Sequence, residues 1–226
     1  MNEQQAPRRA ARGISPLAVL GIVLLVVGMA GAGYLAWELF GTTYLAQREA
    51  AQQVQDIRRS WESQGPSQVP DGAPLVTTPA PGEAAWLLRI PRLGGEWPIV
   101  AGVEPDQLRR GVGWYPTTAL PGEIGNFALA GHRITRGEPF RRLLDLDVGD
   151  EVIVETAGAI FTYEINSAPR DLTVQDTDSW VLLPVPGQEG VQPTQPIVTL
   201  TTCQDFFRSP DRSVGFGVLT HTEIKQ

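Results

Sequence analysis

Three positions in this chain could supply a nucleophile, a proton carrier and a fixed cation. Cys203 is the only cysteine and closes the stretch Thr199-Leu200-Thr201-Thr202-Cys203. Arg212 follows nine residues later, and His132, one of two histidines, lies in Ala130-Gly131-His132-Arg133. A lone thiol cannot form an intramolecular disulfide, so in an exported chain it points to a sulfur kept for chemistry. A thiol attacks well once ionised, and a nearby imidazole or cation lowers its pKa. The imidazolium can then protonate a leaving amine. A guanidinium is always charged and offers a rigid fork of donors to an oxyanion. Each residue alone also has a plainer reading. A free cysteine is commonly a small buried hydrophobe. A strand-end histidine can be merely hydrogen-bonded, and Arg212 can pair with Asp211 or Asp205. His221, near the C-terminus, is incidental. One cysteine and two distant histidines provide no metal-ligand spacing, so no metal or cofactor is expected.

The elements that must position these residues are mostly strands. Trp86–Ile90, Asn126–Ala130, Asp150–Thr156, Ile160–Ile165, Ile197–Thr202 and Val214–Leu219 carry β-branched and aromatic residues, several in period-2 alternation. Ala157-Gly158-Ala159 reads as the turn of a hairpin. Helical pattern is scarce: Pro105–Arg110, with a further turn near Pro139–Leu144. About eight short strands at this spacing suggest a closed barrel or a sandwich. His132 and Cys203 both end strands, and Arg212 opens the last one. The loop after Cys203 returns Arg212 to the same end, so the three can converge at one rim. Alternation puts Cys203 on a face with Thr201, Thr199 and Ile197.

Residues 84–226 therefore form the expected domain. Residues 64–83 carry five prolines and read as a semi-extended linker. Residues 41–63 are polar and helix-friendly, a juxtamembrane helix. Gly13 to Trp37 holds no charged residue over 25 positions. That is about 37 Å of helix, enough to cross a ~30 Å hydrocarbon core. Ala30-Gly31-Ala32 has the small residues of a signal-peptide cleavage site. The apolar run continues through Tyr34, Leu35, Trp37, Leu39 and Phe40, however, so an uncleaved anchor over 14–40 is expected. Arg8, Arg9 and Arg12 place residues 1–13 in the cytoplasm and the domain outside. Net charge is −7, and residues 84–226 hold 12 Lys+Arg against 18 Asp+Glu. That balance argues against nucleic acid as a partner.

Leu200-Thr201-Thr202-Cys203, the later Arg212 and Ala130-Gly131-His132-Arg133 together resemble the sortase cysteine transpeptidases of Gram-positive bacteria. The likeness runs over about residues 86–221. It takes in Trp114-Tyr115-Pro116, Leu120-Pro121-Gly122, Gly125-Asn126-Phe127, Gly137-x-Pro139-Phe140 and Gly149-Asp150. Pro184-Val185-Pro186-Gly187 and the Gly-His-Arg form most resemble class E, the housekeeping type of high-GC species. The resemblance implies an eight-stranded sortase β-barrel with short helices. It implies Cys203 as nucleophile, His132 as general acid/base and Arg212 as oxyanion donor. Thr202 and the long loop from about Gln175 to Pro196 would line a sorting-signal groove, with Thr201, Ala130 and Arg136 beside it. Arg136 stands where class E members often have tyrosine, and Gln204-Asp205-Phe206-Phe207 replaces their usual His-Pro-like pair. The implied reaction cleaves a Leu-Pro-x-Thr-Gly or Leu-Ala-x-Thr-Gly signal between Thr and Gly. A thioacyl enzyme forms and passes to an amine on a peptidoglycan precursor or on another protein. The implied partners are surface proteins carrying such signals, the amine, and the membrane.

Three alternatives accompany this reading. A pilin polymerase would use a partner's lysine side chain as the amine. L,D-transpeptidases carry a Ser-His-Gly-Cys-type cluster, whereas the nearest histidine upstream of the cysteine here is 71 residues away. A non-catalytic surface barrel would be indifferent to Cys203→Ala. The acidic turn Asp145, Asp147, Asp150 and Glu151 reads as a solvated loop, and no calcium requirement is expected.

Overall fold

The computed structural model describes residues 15–63, 76–203 and 210–225. The expected cytoplasmic segment 1–13, linker residues 64–75 and residues 204–209 after the cysteine lie outside the described residues.

The first helix, α1, spans Pro16–Ala36. Proline opens it with its φ already helical, and the Ser15 hydroxyl accepts from the Ala18 amide at 3.2 Å. Its mean hydropathy of 2.3 and complete exposure leave a helix long and apolar enough to cross a membrane. One π-helical turn, Trp37–Gly41, joins it without a break to α2, Thr42–Ser63. This second helix does not stand free. Ala46, Ala50, Val54 and Ile57 fall on one stripe and are buried. Val54 and Ile57 pack on Leu87, with Trp61 and Ala84 at the edge. Arg58 pairs with Glu96 at 2.5 Å and Glu155 at 3.0 Å. Lys225 reaches Glu155 at 2.6 Å and lies 4.2 Å from the centre of the Trp61 ring.

The strands are β1 (Ala84–Arg89), β2 (Glu96–Ala101), β3 (Val112–Trp114), β4 (Gly125–Ala130), β5 (Glu151–Glu155), β6 (Ala159–Ser167), β7 (Thr173–Gln175), β8 (Pro196–Cys203) and β9 (Asp211–Ile224). A short helix, α3 (Pro105–Leu108), links β2 to β3. Hydrogen bonding runs β6-β5-β1-β2-β3-β4-β8-β9, and β9 pairs back to β6. Eight strands thus close a barrel, with β7 added beside the start of β9. The pairs β2–β3 and β4–β8 are parallel. The expected turn between β5 and β6 is present, tied by Thr156, whose amide donates to the Ala159 carbonyl at 2.9 Å.

Alternation along the strands fills the interior. Trp86, Trp114, Phe127, Tyr163, Val198 and Leu200 belong to one buried cluster. Trp86 meets Trp114 edge-on with centroids 5.2 Å apart. A smaller cluster, Val174, Val181 and Val214, forms where the chain before β8 folds over β7 and β9. Packed structure also begins before residue 84. Val76 is buried in the main cluster, and the Gly82 amide donates to the Ala101 carbonyl at 2.7 Å.

Candidate active site

The register of three neighbouring strands brings the three chemical residues together. In the antiparallel pair β8–β9, Cys203 stands directly opposite Arg212. Directly opposed residues project to the same face, with Cβ atoms about 5 Å apart. In the parallel pair β4–β8, Ala130 is level with Thr201. Two residues beyond that pair are His132, just past the end of β4, and Cys203, the last residue of β8, so continued alternation would put the histidine level with the thiol and on its side. The Gly131 amide donates to the Thr201 carbonyl at 3.1 Å, carrying the pairing to the last residue before His132.

Gly131 has a packing reason. A Cβ there would lie 2.6 Å from the Phe140 ring, which is fully buried. The Phe140 amide donates to the His132 carbonyl at 3.0 Å. The glycine, the histidine and the Gly-x-Pro-Phe motif therefore form one closed loop, 132–140, whose neck is locked to the barrel.

His132 is half-buried, and its Nε2 has no hydrogen-bond partner among the described residues. Burial, and then the positive charges of Arg136 and Arg109, hold its pKa below the ordinary imidazole value. The ring is thus neutral near pH 7 and gains its proton reluctantly. Replacing Arg136 by glutamine removes one repulsion, so the His132 titration midpoint should rise. Proton NMR can follow this directly, because the chain has two histidines and the exposed His221 serves as an internal reference.

Arg212 is half-buried. It donates to the Asp211 carbonyl at 3.1 Å and faces the Asp176 carboxylate at 3.5 Å. A cleft of 140 Å³ opens beside it, lined by Tyr115, Val174, Val181, Leu182, Thr201 and Val214, with Asp176 and Ser179 adding polar groups. Part of the loop expected to line a groove, Gln175 to Leu182, does line it. Asn126 pins that loop. Its Nδ2 donates to the Val181 and Leu183 carbonyls at 2.9 and 3.0 Å, and its Oδ1 accepts from Thr199 at 2.6 Å. Asn126→Asp would turn a buried donor into a carboxylate facing two carbonyls. A loss of about 3 kcal/mol is expected, read as a Tm fall of roughly 6–12 °C by calorimetry.

Of the other residues expected at the groove, Thr201 lines the cleft and three do not. Thr202 is buried, and its hydroxyl donates to the Gly131 carbonyl at 2.8 Å. The alternation that puts Thr201 with Cys203 turns Thr202 to the other face, where it braces the segment bearing the histidine. Ala130 is buried in β4. Arg136 reaches toward Glu38 of the π-helical turn, 3.8 Å away, not toward the cleft. Tyr115, Val174 and Asn126 were not singled out from sequence. The tyrosine sits inside the quoted Trp114-Tyr115-Pro116 motif, which was the available signal. The acidic turn is held by arginines: Asp147 with Arg92 and Arg170, and Asp145 with Arg142.

Comparison with known proteins follows the same residues. The sortase-domain family matches residues 88–220. Sortase SrtE1 of Streptomyces coelicolor is 32% identical over 228 residues, covering 93% of this chain; the chain spans 60% of that protein's length. Sortase D of Bacillus subtilis is 29% identical over 204 residues, covering 88% of this chain and 96% of its own. The structure of sortase E from Streptomyces avermitilis superposes with a TM-score of 0.58 at 35% identity, over 64% of this chain and 93% of that one. Sortase E1 of Streptomyces coelicolor, solved with a tripeptide in its active site, gives 0.57 at 36% identity, over 65% and 94%. The chain belongs to the sortase family, whose members are cysteine transpeptidases, and it aligns with class E.

Proposed function

We propose that this chain is a membrane-anchored transpeptidase acting on a C-terminal Leu-Ala-x-Thr-Gly or Leu-Pro-x-Thr-Gly sorting signal, with residues 84–226 as its core catalytic domain. The observation that carries the reading is the direct cross-strand pairing of Cys203 with Arg212, beside the end of β4 from which His132 follows by two residues. His132 takes the Cys203 thiol proton as the sulfur bonds to the threonine carbonyl carbon, and the electron pair moves onto the carbonyl oxygen. Arg212 faces that oxygen with a fork of donors. The tetrahedral species collapses, the carbon–nitrogen bond to glycine breaks, and His132 delivers a proton to the departing amine. A second amine then attacks the thioester carbon. His132 takes its proton, and the sulfur leaves. Burial keeps the resting His132 ring neutral, and so free to accept a proton, and it makes the protonated form a strong donor to the departing amine.

The apolar walls of the cleft, Val174, Val181, Leu182 and Val214, suit an aliphatic side chain of the signal. The helix α1 suits a single-pass anchor with the barrel outside the cell and the N-terminus within. The second amine is read as that of a peptidoglycan precursor.

The test uses the full chain in detergent with internally quenched Leu-Ala-x-Thr-Gly and Leu-Pro-x-Thr-Gly peptides. Cleavage between Thr and Gly, with an acyl adduct on Cys203 by mass spectrometry, is the expected result. A folded protein that leaves both peptides intact and its thiol unmodified would overturn the reading. Supplying α-amines and lysine side-chain amines in parallel separates a cell-wall acceptor from pilin polymerisation.

A further inference from the structure

The loop that carries His132 is strained at its tip. Thr135, Arg136, Gly137 and Glu138 have φ of 61°, 52°, 89° and 56°, four consecutive residues in the left-handed region. Three of them have side chains, and each such residue costs about 1 kcal/mol or more unless its surroundings hold it. The loop's own bonds hold it in part. The Glu138 carboxylate accepts from the Thr135 amide at 3.2 Å, and the Glu138 amide donates to the Thr135 carbonyl at 3.2 Å.

The remaining hold comes from outside the barrel. Gln47 of α2 donates from Nε2 to the Gly137 carbonyl at 3.2 Å. Thr43 of α2 donates from Oγ1 to the Glu138 carboxylate at 3.4 Å. Arg136 pairs with Glu38, one turn earlier in the same continuous helix, at 3.8 Å. Gly137 lies between two elements: a Cβ added there would stand 3.2 Å from the Trp97 indole of β2 and 3.5 Å from the Ala46 methyl of α2. A glycine at 137 lets helix and indole approach this closely, at a φ that a side chain would strain.

We infer that the juxtamembrane helix positions the histidine: Thr43 and Gln47 clamp the left-handed turn 135–138 and thereby set where His132 stands relative to Cys203. The inference rests on the acid/base reading of His132 given above. It makes α2 part of the working enzyme and Thr43 and Gln47 positioning residues, for neither touches the cleft. Among the described residues, the charges that act on the imidazole are Arg136 on its own loop and Arg109 just after α3. A looser turn admits water to the ring and relieves the burial that depresses its pKa.

The test compares full-length Thr43→Val, Gln47→Leu and the double variant with wild type, with His132→Ala and Arg58→Ala as controls. The last loosens α2 far from the loop. The double variant should lose about ten-fold or more in kcat on the quenched peptide with KM nearly unchanged, since small misplacements of a reacting group are costly. Its His132 proton resonance should titrate at higher pH than in wild type. Arg58→Ala should lower Tm yet leave kcat and the His132 midpoint alone. The inference is overturned if the double variant keeps kcat within two-fold and the same midpoint while His132→Ala is inactive. If His132→Ala itself turns over normally, the acid/base reading fails, and the inference fails with it. If Arg58→Ala shifts kcat and the midpoint as much as the double variant, α2 acts through general stability and the local clamp is wrong.

Discussion

Replacing Cys203 by alanine is expected to abolish transpeptidation while leaving the barrel intact. The thiol stands at the end of β8 and is only half-buried, so its removal opens no cavity in the core. Neighbouring contacts do not depend on the sulfur, because Thr201 and Thr202 fasten β8 to β4 through the Leu129 and Gly131 carbonyls. Tm should therefore change by no more than about 2 °C, in keeping with a substitution outside the core. Chemistry is another matter. No other side chain in the sequence carries a thiol, and a hydroxyl or water at the rim ionises far less readily than a thiol and is the weaker nucleophile. Turnover of the quenched peptide and the acyl adduct should both vanish. Wild-type-like cleavage by a folded Cys203→Ala protein would remove the mechanism altogether.

Replacing Arg212 by lysine should be nearly as damaging. The position is directly opposite the thiol and borders the cleft, so its side chain has a short, fixed path to the reacting carbonyl. A guanidinium presents two parallel donors while also meeting the Asp176 carboxylate and the Asp211 carbonyl. An ammonium is a single, strongly hydrated point charge and cannot serve both sides at once. Loss of an oxyanion donor typically costs about 3 kcal/mol of barrier, so kcat should fall on the order of 100-fold or more with the charge retained. Single-turnover acylation is the appropriate measurement, because it isolates the step in which the oxyanion forms. Near-normal acylation would move the role to another donor.

The rim was legible from sequence because strand ends are a topological fact. Three residues that close or open strands at one end of a barrel are brought together by pairing alone. The segments left unread are those in which local pattern is overruled by distant pairing. The strand Val112–Trp114 is three residues long with a glycine at its centre, and it exists because it lies parallel to β2 and antiparallel to β4. Glu96–Ala101 contains Pro98, which ordinarily argues against a strand interior. The family resemblance puts Thr202 at the groove, whereas strand alternation turns it inward onto the Gly131 carbonyl. The docking of α2 was also missed. Its buried stripe opens with alanines, Ala46 and Ala50, and small residues make a faint apolar signal even where they let a helix sit close.

One consequence follows from the unbroken helix that runs from Pro16 to Ser63. Its early part, around Glu38, Thr43 and Gln47, meets the turn beyond His132, whereas Trp61 near its far end meets Lys225 of the C-terminal strand end. Were α1 to lie in the bilayer, as proposed above, the barrel would be strapped along one helical mast with its reactive end toward the lipid surface. On the proposed anchoring, such an enzyme would not sweep the space above the membrane. Its encounters would be with molecules tethered to the same bilayer, arriving by lateral drift in two dimensions, at a height set by one helix.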